Sequence, residues 1–593
     1  MHNDKTVAQS LREVWRQLSI KRKGQFSLLA VAMVVMSGLE IITLGAVLPF
    51  LGVLTVPDKV FAYSAFEPLW KFLDISDAQD LILPMTVTFC ASAIVAGMWR
   101  LMILFASTRF AYAVGADFGA QIMTKHLRAP YDRHLNINSG DLLSAITMKI
   151  NHVVNAVIFQ SLAMMVSLAI CIAIAFAMLV VSTEITVTAL VLFGVIYSAV
   201  FLFERRKLIA QSIVIANNSA SIITTINEAV GGIKEIILYG LEDLHRERFR
   251  SYDLPMRRAQ AYHQFVGQAP RYAIEAMGMV VIAIIAYQQV IAKEGGMEML
   301  AVLGTFALGA QRLLPAAQQV FAALTSINGG KASLEDVLEF LDQPSADMVD
   351  EDVTALPFRT NITLDKVGFD YDGRDTPVLD NISLSIKQGE CIGIIGETGS
   401  GKSTLLAILM GLLEPTRGHL LIDDVPTDVK RRLMWRKNIC HVPQSVFLTD
   451  GSIRDNITLA GSGGSGDENL LASSVKIAQL EETISRLGAG LSAVVGERGA
   501  RVSGGELQRI GIARAIYRNR NVLVLDEATS SLDINVEQKV MEGISAQQQG
   551  RTIIIVAHRL ATLKRCDRLL KLEKGAVTSI DRGSAEFNSI VNQ

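Results

Sequence analysis

The chain has 593 residues, more than one hydrophobic core organises, since cores stop growing at roughly 250 to 300 residues, so at least two domains are expected. Its 56 basic and 58 acidic residues give a formal charge of -2, which excludes binding a polyanion such as nucleic acid by bulk charge. Cys90, Cys171, Cys391, Cys440 and Cys566 show neither C-x-x-C spacing nor a histidine at metal-ligand distance, and they read as small buried hydrophobes.

Half of the residues are hydrophobic (50%), and the excess is confined to the first 330 positions. The start is polar and the first apolar run is too long for the core of a signal peptide, so it is expected to stay in place as a span. Six apolar stretches reach membrane-spanning length, at about 26 to 54, 81 to 107, 157 to 181, 185 to 203, 272 to 292 and 300 to 325. Arg12, Arg16, Lys21, Arg22 and Lys23 precede the first, and Arg205, Arg206 and Lys207 follow the fourth, which puts both segments and the N-terminus in the cytoplasm. An even number of spans then returns the chain to the cytoplasm.

The cytoplasmic stretches from about 108 to 156 and from 204 to 271 are long and carry few helix breakers, whereas spans three and four are joined only by Ser182, Thr183 and Glu184. Helices are therefore expected to run well below the membrane. Turn regions at Pro130 to Gly140 and Tyr239 to Asp243 have room for short transverse helices, and they are candidate contacts to the C-terminal domain. The outer loop from Val56 to Asp80 gathers Phe61, Tyr63, Phe66, Trp70 and Phe72, which suits a short interfacial helix or a capped loop. The boundaries read as a cytoplasmic segment 1–25, a membrane domain 26–330, a linker 331–354 and a C-terminal domain 355–593.

From about Thr360 the apolar runs shorten to strand length and alternate with helical segments, the pattern of an α/β domain. A buried strand, Cys391 to Ile395, runs into Gly396, Glu397, Thr398, Gly399, Ser400, Gly401, Lys402, Ser403 and Thr404. This is a P-loop: glycines let backbone N–H groups close round the β- and γ-phosphates, Lys402 adds a point charge, and Ser403 offers a hydroxyl to magnesium. A second buried strand, Val522 to Leu525, ends in Asp526 and Glu527. At such a strand end an Asp supports the magnesium and a following Glu polarises the attacking water. A Gly/Ser-only tract, Gly461 to Gly466, reads as a surface loop.

Between these motifs lie Val502, Ser503, Gly504, Gly505 and Glu506, and here the chain resembles the ABC ATPases, whose signature usually reads Leu-Ser-Gly-Gly-Gln. The resemblance covers Thr360 to Ile580. It implies that Tyr371 stacks on adenine, that Gln444 is the Q-loop residue shared between magnesium and the catalytic water, that Asp533 marks the D-loop and that His558 is the switch histidine. It also implies that Ser503, Gly504, Gly505 and Glu506 act on nucleotide held by another chain, so that two copies are needed, most simply a homodimer, with a heterodimer left open. Val495 to Gly499 looks like the X-loop of exporter-type members.

The whole chain resembles a half-transporter of the ABC exporters: an all-α six-helix transmembrane domain of the type I, domain-swapped kind, plus an α/β P-loop ATPase, with ATP and Mg2+ as cofactors. Ionisable residues in or beside the spans, Glu40, Arg100, Arg271, Glu275 and Arg312, are costly in hydrocarbon and should face a cavity or pair with one another. Arg271 and Glu275 stand one helical turn apart and need no ligand. Pro270 to Glu275 and Leu308 to Pro315, with the aromatic outer loop and Glu40 near Pro49, look like the lipid-linked-oligosaccharide flippases of bacterial glycosylation. That implies an amphiphile with a pyrophosphate head, for which cavity arginines are suited, and a bacterial cytoplasmic membrane. Other lipids or glycolipids, peptides and hydrophobic drugs stay open as substrates, as does an ATP-gated channel or regulatory subunit.

Overall fold

The structure is a computed structural model describing residues 6–55, 78–136, 138–181, 183–291, 297–343, 354–371, 376–459, 467–546, 550–557 and 559–591. Most of the outer loop, the Gly461 to Gly466 tract and His558 lie outside the described residues. The chain divides into two compact units, one of residues 1–129 and 136–345, the other of residues 130–135 and 346–593.

The first unit is helical throughout. Thr6 opens helix Val7–Gln17 with a reciprocal cap: its hydroxyl accepts from the Gln9 N–H and the Gln9 side chain accepts from the Thr6 N–H. The first apolar run, expected as one span over 26 to 54, is broken at Ala46 into helices Ile20–Gly45 and Val47–Thr55, beside a glycine that weakens the helix interior. Ile82–Leu127, Thr183–Gly231 and Glu242–Ile291 have 46, 49 and 50 residues. At about 1.5 Å per residue each exceeds twice the ~30 Å hydrocarbon core, so the helices do extend far beyond the bilayer. Among the described residues four helices are long and apolar enough to cross a membrane: Ile20–Thr43, Ile82–Leu127, Gly140–Val180 and Tyr197–Gly231. The fifth and sixth expected spans fall in helices Glu242–Ile291 and Met297–Gly329.

Both expected turn regions hold short helices. Helices Tyr131–Asn136 and Ser139–Ser144 occupy the first. At the second, the pair Gly231 and Gly232 ends the long helix, a short helix Ile233–Tyr239 follows, and Gly240 closes it at φ +64, a left-handed conformation that favours glycine. Residues 331–342, expected to open the linker, are helical and packed. They form helix Lys331–Asp342, whose Leu334, Val337, Leu338 and Leu341 are buried with Val14, Val153 and Val157. Lys149 adds an ion pair to Asp336 at 2.5 Å. Of the cysteines, Cys391, Cys440 and Cys566 are buried as expected, Cys171 is half-buried, and Cys90 is exposed on a spanning helix.

The second unit holds two sheets. Asn361–Phe369 (β1), Leu379–Lys387 (β2), Arg417–Ile422 (β4) and Val425–Pro426 (β5) pair antiparallel in the order β2-β1-β4-β5. The other sheet contains Cys391–Ile395 (β3), Ile439–Val442 (β6), Val522–Asp526 (β7), Thr552–Val556 (β8), Arg568–Glu573 (β9) and Ala576–Asp581 (β10), in the order β10-β9-β3-β8-β7-β6. The five strands from β9 to β6 run parallel through four pairings, and only β10 is antiparallel to its neighbour. Their unbroken burial, as at Val522 to Leu525 and Thr552 to Val556, is what a sheet covered on both faces requires.

In the centre of β3, a Cβ on Gly393 would stand 2.6 Å from Leu563 Cδ2 and 2.7 Å from Leu569 Cδ2, both side chains fully buried. Gly393→Ala should therefore destabilise the second unit by about 1 to 3 kcal/mol through overpacking. Heat unfolding of the purified full-length protein checks this; an unshifted transition would show that the core gives way freely.

Candidate ATP site and membrane cavity

The P-loop takes its shape from contacts no side chain would tolerate. A Cβ on Gly396 would lie 2.4 Å from the Leu572 carbonyl oxygen, and Gly401, at φ +104, would set one 2.9 Å from Leu379 Cδ2. Helix Lys402–Leu409 begins directly behind this loop, so its unpaired N–H groups face the loop's interior. Lys402 Nζ donates to the carbonyls of Gly396 (2.7 Å) and Glu397 (2.8 Å), spanning the loop mouth. Ser400 Oγ is buried with no partner among the described residues, and Ser403 is exposed. A buried orphan hydroxyl, an ammonium and a helix N-terminus together fit a polyphosphate. Tyr371 lies against Phe369 with ring centres 4.9 Å apart, and its hydroxyl is 3.1 Å from Thr404 Oγ1, so the aromatic is tethered to the P-loop helix.

The strand register assembles the rest. In the β6–β7 ladder Val442 faces Leu525, so Gln444 and Glu527, each two residues further on, emerge side by side. Gln444 Nε2 donates to Glu527 Oε2 over 2.6 Å. Glu527 sits at φ +50, an unusual backbone for a non-glycine residue, with its N–H given to the Val556 carbonyl. Burial and then the Glu527 charge push the Asp526 carboxyl up, while Lys402 opposes them. A divalent cation bound there would reverse the direction of the shift. Asp526, Ser403 and Gln444 carry the oxygen donors that would suit Mg2+, which when bound would screen the phosphate charge.

Three residues in this site had no motif to mark them. Gln508, buried in helix Gly504–Arg518, donates to Ser530 Oγ (3.1 Å) and accepts from the Ser531 N–H (3.0 Å), fixing the turn ahead of exposed Asp533. Glu537 accepts from Thr529 Oγ1 (2.8 Å) and Arg559 (2.9 Å), and Arg559 also donates to the Leu532 carbonyl (2.7 Å). A conspicuous Arg after His558 was the available signal.

Ser503, Gly504 and Gly505 stand at the start of helix Gly504–Arg518, with Ser503 exposed as its N-cap. Glu506 does not face outward with them. It is buried, with its carboxylate on the Ser503 N–H (2.8 Å), Thr483 Oγ1 (2.9 Å) and Arg486 (2.9 Å). Burial alone would raise its pKa, but the Ser503 N–H, Arg486 and the two hydroxyls outweigh it and hold the carboxyl at about 2.

In the first unit the five ionisable residues resolve into two groups. Glu40, 1% exposed, is ion-paired to Arg100 from helix Ile82–Leu127 and to Arg312 (2.8 Å) from helix Met297–Gly329. Two guanidiniums against one carboxylate leave one positive charge over. Arg271 and Glu275 pair at 2.6 Å along one helix and balance each other. A cavity of about 360 Å³ is lined by Arg100, Ser107 and Gln319 among apolar Met36, Ile103 and Phe159.

Membrane-spanning helices joined in sequence to a P-loop ATPase define a membrane-bound nucleotide-dependent machine. Residues 379–530 match the family model described as ABC transporter, and residues 27–312 match the one described as ABC transporter transmembrane region. The chain is 30% identical over 486 residues to the ATP-dependent lipid A-core flippase of Chromobacterium violaceum, covering 78% of this chain and 79% of that protein. It is 44% identical over 219 residues to the mycobactin import ATP-binding/permease protein IrtB of Mycobacterium tuberculosis, covering 36% of this chain and 37% of that protein. With the alpha-hemolysin translocation ATP-binding protein HlyB of Escherichia coli it shares 43% over 224 residues, covering 38% of this chain and 31% of that one. The solved structure of a bacterial Atm1-family ABC exporter with ATP bound has the same fold, with TM-score 0.74 and 20% identity over 94% of this chain and 97% of that one. The chain belongs to the ABC transporter family and is an integral membrane protein with the type I exporter fold.

The Glu506 carboxyl has a folded pKa of about 2, below the ~4.3 of an unfolded glutamate. Its stabilisation is complete above pH ~4.3 and is lost as pH falls toward 2. Glu506→Gln should flatten that part of the acid limb and cost about 2 to 3 kcal/mol at neutral pH. Thermal unfolding of both proteins between pH 2 and 7 measures the difference, and parallel curves would remove the linkage.

Proposed function

We propose that the chain is an ATP-hydrolysing exporter or flippase that works as a homodimer and moves an amphiphile with an anionic head, best a lipid-linked pyrophosphate oligosaccharide, across the bacterial cytoplasmic membrane, with the ATPase domain in the cytoplasm. The Gln444–Glu527 hydrogen bond carries the hydrolytic half of this reading. It holds a carboxylate just past the end of β7, next to Asp526, where a water in line with a γ-phosphate would meet it. In this reading Tyr371 receives the base, Gly396 to Thr404 cradle the phosphates, His558 senses the γ-phosphate and the other chain's Ser503, Gly504 and Gly505 complete the site. Tyr239 to Asp243 and Pro130 to Gly140 would carry the motion between domains.

The transport half rests on the Glu40 cluster. Its surplus positive charge beside an otherwise apolar cavity suits an anionic headgroup better than a neutral drug. Movement of a lipid is supported by the likeness to the ATP-dependent lipid A-core flippase, matched over most of its length. The mycobactin protein is named for import but is matched over only 37% of its length, so it bears little on direction.

Glu527→Gln should abolish hydrolysis while nucleotide still binds, because the phosphate cradle is untouched; Lys402→Ala should instead weaken binding. ATP turnover and nucleotide retention by the purified protein distinguish the two, and near-parental turnover by Glu527→Gln would remove the role given to Glu527.

Removing either Arg100 or Arg312 leaves Glu40 balanced and the surplus gone. Arg100→Ala and Arg312→Ala should each depress flipping of a fluorescent polyprenyl-pyrophosphate glycan by about tenfold, the size of one charge-assisted hydrogen bond. Basal ATPase activity should largely survive, and Arg271→Ala should do less harm, since that pair is neutral. Unchanged flipping in all three variants, or none by the parent in liposomes, would eliminate the anionic lipid as cargo.

A further inference from the structure

The cap of helix Gly504–Arg518 fixes the direction of one proton. The Glu506 N–H donates to Ser503 Oγ over 3.3 Å, and Glu506 Oε2 receives the Ser503 N–H at 2.8 Å and lies 3.0 Å from Ser503 Oγ. Arg486 Nη2 reaches both carboxylate oxygens at 2.9 Å, and Thr483 Oγ1 is 2.9 Å from Oε1. Surrounded by donors, the carboxylate stays ionised at neutral pH and can only accept. A serine hydroxyl has a single proton, so Ser503 gives it to Glu506 and turns lone-pair density outward. A phosphate oxygen is also purely an acceptor.

We propose that Glu506 is a positioning residue that holds back the Ser503 hydroxyl proton, so that a nucleotide phosphate on the facing chain must win that hydrogen bond from a carboxylate before the site closes. The proposal rests on the reading of Ser503 as a contact to nucleotide in trans. It assigns this chain a lower ATP affinity than a glutamine at position 506 would give. A glutamine amide oxygen still accepts from the Ser503 N–H, so the cap persists, but as a neutral acceptor it holds the hydroxyl less strongly, and its amide N–H can donate to Ser503 Oγ and free the proton.

The test is ATPase rate against ATP concentration for the full-length protein in liposomes, comparing the parent with Glu506→Gln, Ser503→Ala and the double variant. Glu506→Gln should lower KM for ATP by about three- to tenfold with a smaller change in kcat, as expected when a charged acceptor becomes a neutral one of about half the strength. Ser503→Ala should raise KM, and the double variant should match Ser503→Ala, because Glu506 acts through that hydroxyl. An equal fall in KM with and without Ser503 would mean the lost negative charge acts only through its field, and overturns the proposal. So does a silent Glu506→Gln beside a raised KM in Ser503→Ala, which leaves the trans contact standing. No change in Ser503→Ala removes both readings. Should Glu506→Gln fail to fold, Arg486→Ala serves: stripped of its cation, the carboxylate accepts more strongly and KM should rise, while an unchanged or lower KM contradicts the proposal.

Discussion

The parallel pairing of β3, β8, β7 and β6 is the constraint on which the ATP site depends. Ile394 faces Val556, Asp526 faces Val556 from the other side, and Leu525 faces Val442, so the P-loop, Gln444 and Glu527 all leave the sheet at the C-terminal ends of these strands. A slip of one residue between β6 and β7 would move Gln444 about 3.3 Å along the strand and break its 2.6 Å bond to Glu527. The register is held by apolar side chains packed on both faces, and Gly393 admits Leu563 and Leu569 closely against β3. Chemistry at the edge is therefore secured by packing in the middle.

The membrane unit meets a different constraint, the cost of a charge away from water. Glu40 is almost fully buried, and an unpaired carboxylate there would be strongly unfavourable. Arg100 and Arg312 meet it from two other helices, so one cluster joins helices Ile20–Gly45, Ile82–Leu127 and Met297–Gly329. The cluster ties the helices together and is over-compensated by one charge, and on the proposed function that surplus is what meets an anionic headgroup. The neutral Arg271–Glu275 pair has no such surplus.

Motifs whose chemistry demands adjacent residues were legible in the sequence. The glycines of Gly396 to Ser403 and the strand ending at Asp526 and Glu527 declare themselves within a few positions, and the apolar runs declare the helices. Pairings across long separations were not. Glu40 meets Arg312 across 272 residues, and no local pattern states which of two arginines a carboxylate will choose. Glu506 reads as a near-match to the signature glutamine, yet its partners Thr483 and Arg486 lie in an unremarked helix some 20 residues earlier, so its inward orientation was invisible. The helix at residues 331–342 was within reach: Leu334, Val337, Leu338 and Leu341 keep helical spacing, but position between two domains favoured a linker.

On the proposed function, hydrolysis at the Glu527 site drives movement of an anionic lipid. The most direct measurement counts glycolipid flipped against phosphate released in liposomes holding the full-length protein, with ATP and with a non-hydrolysable analogue. The account predicts flipping that rises in proportion to phosphate release and stops with the analogue. Flipping at the same rate with the analogue, or without nucleotide, would contradict it and describe a gated or passive path instead of a pump.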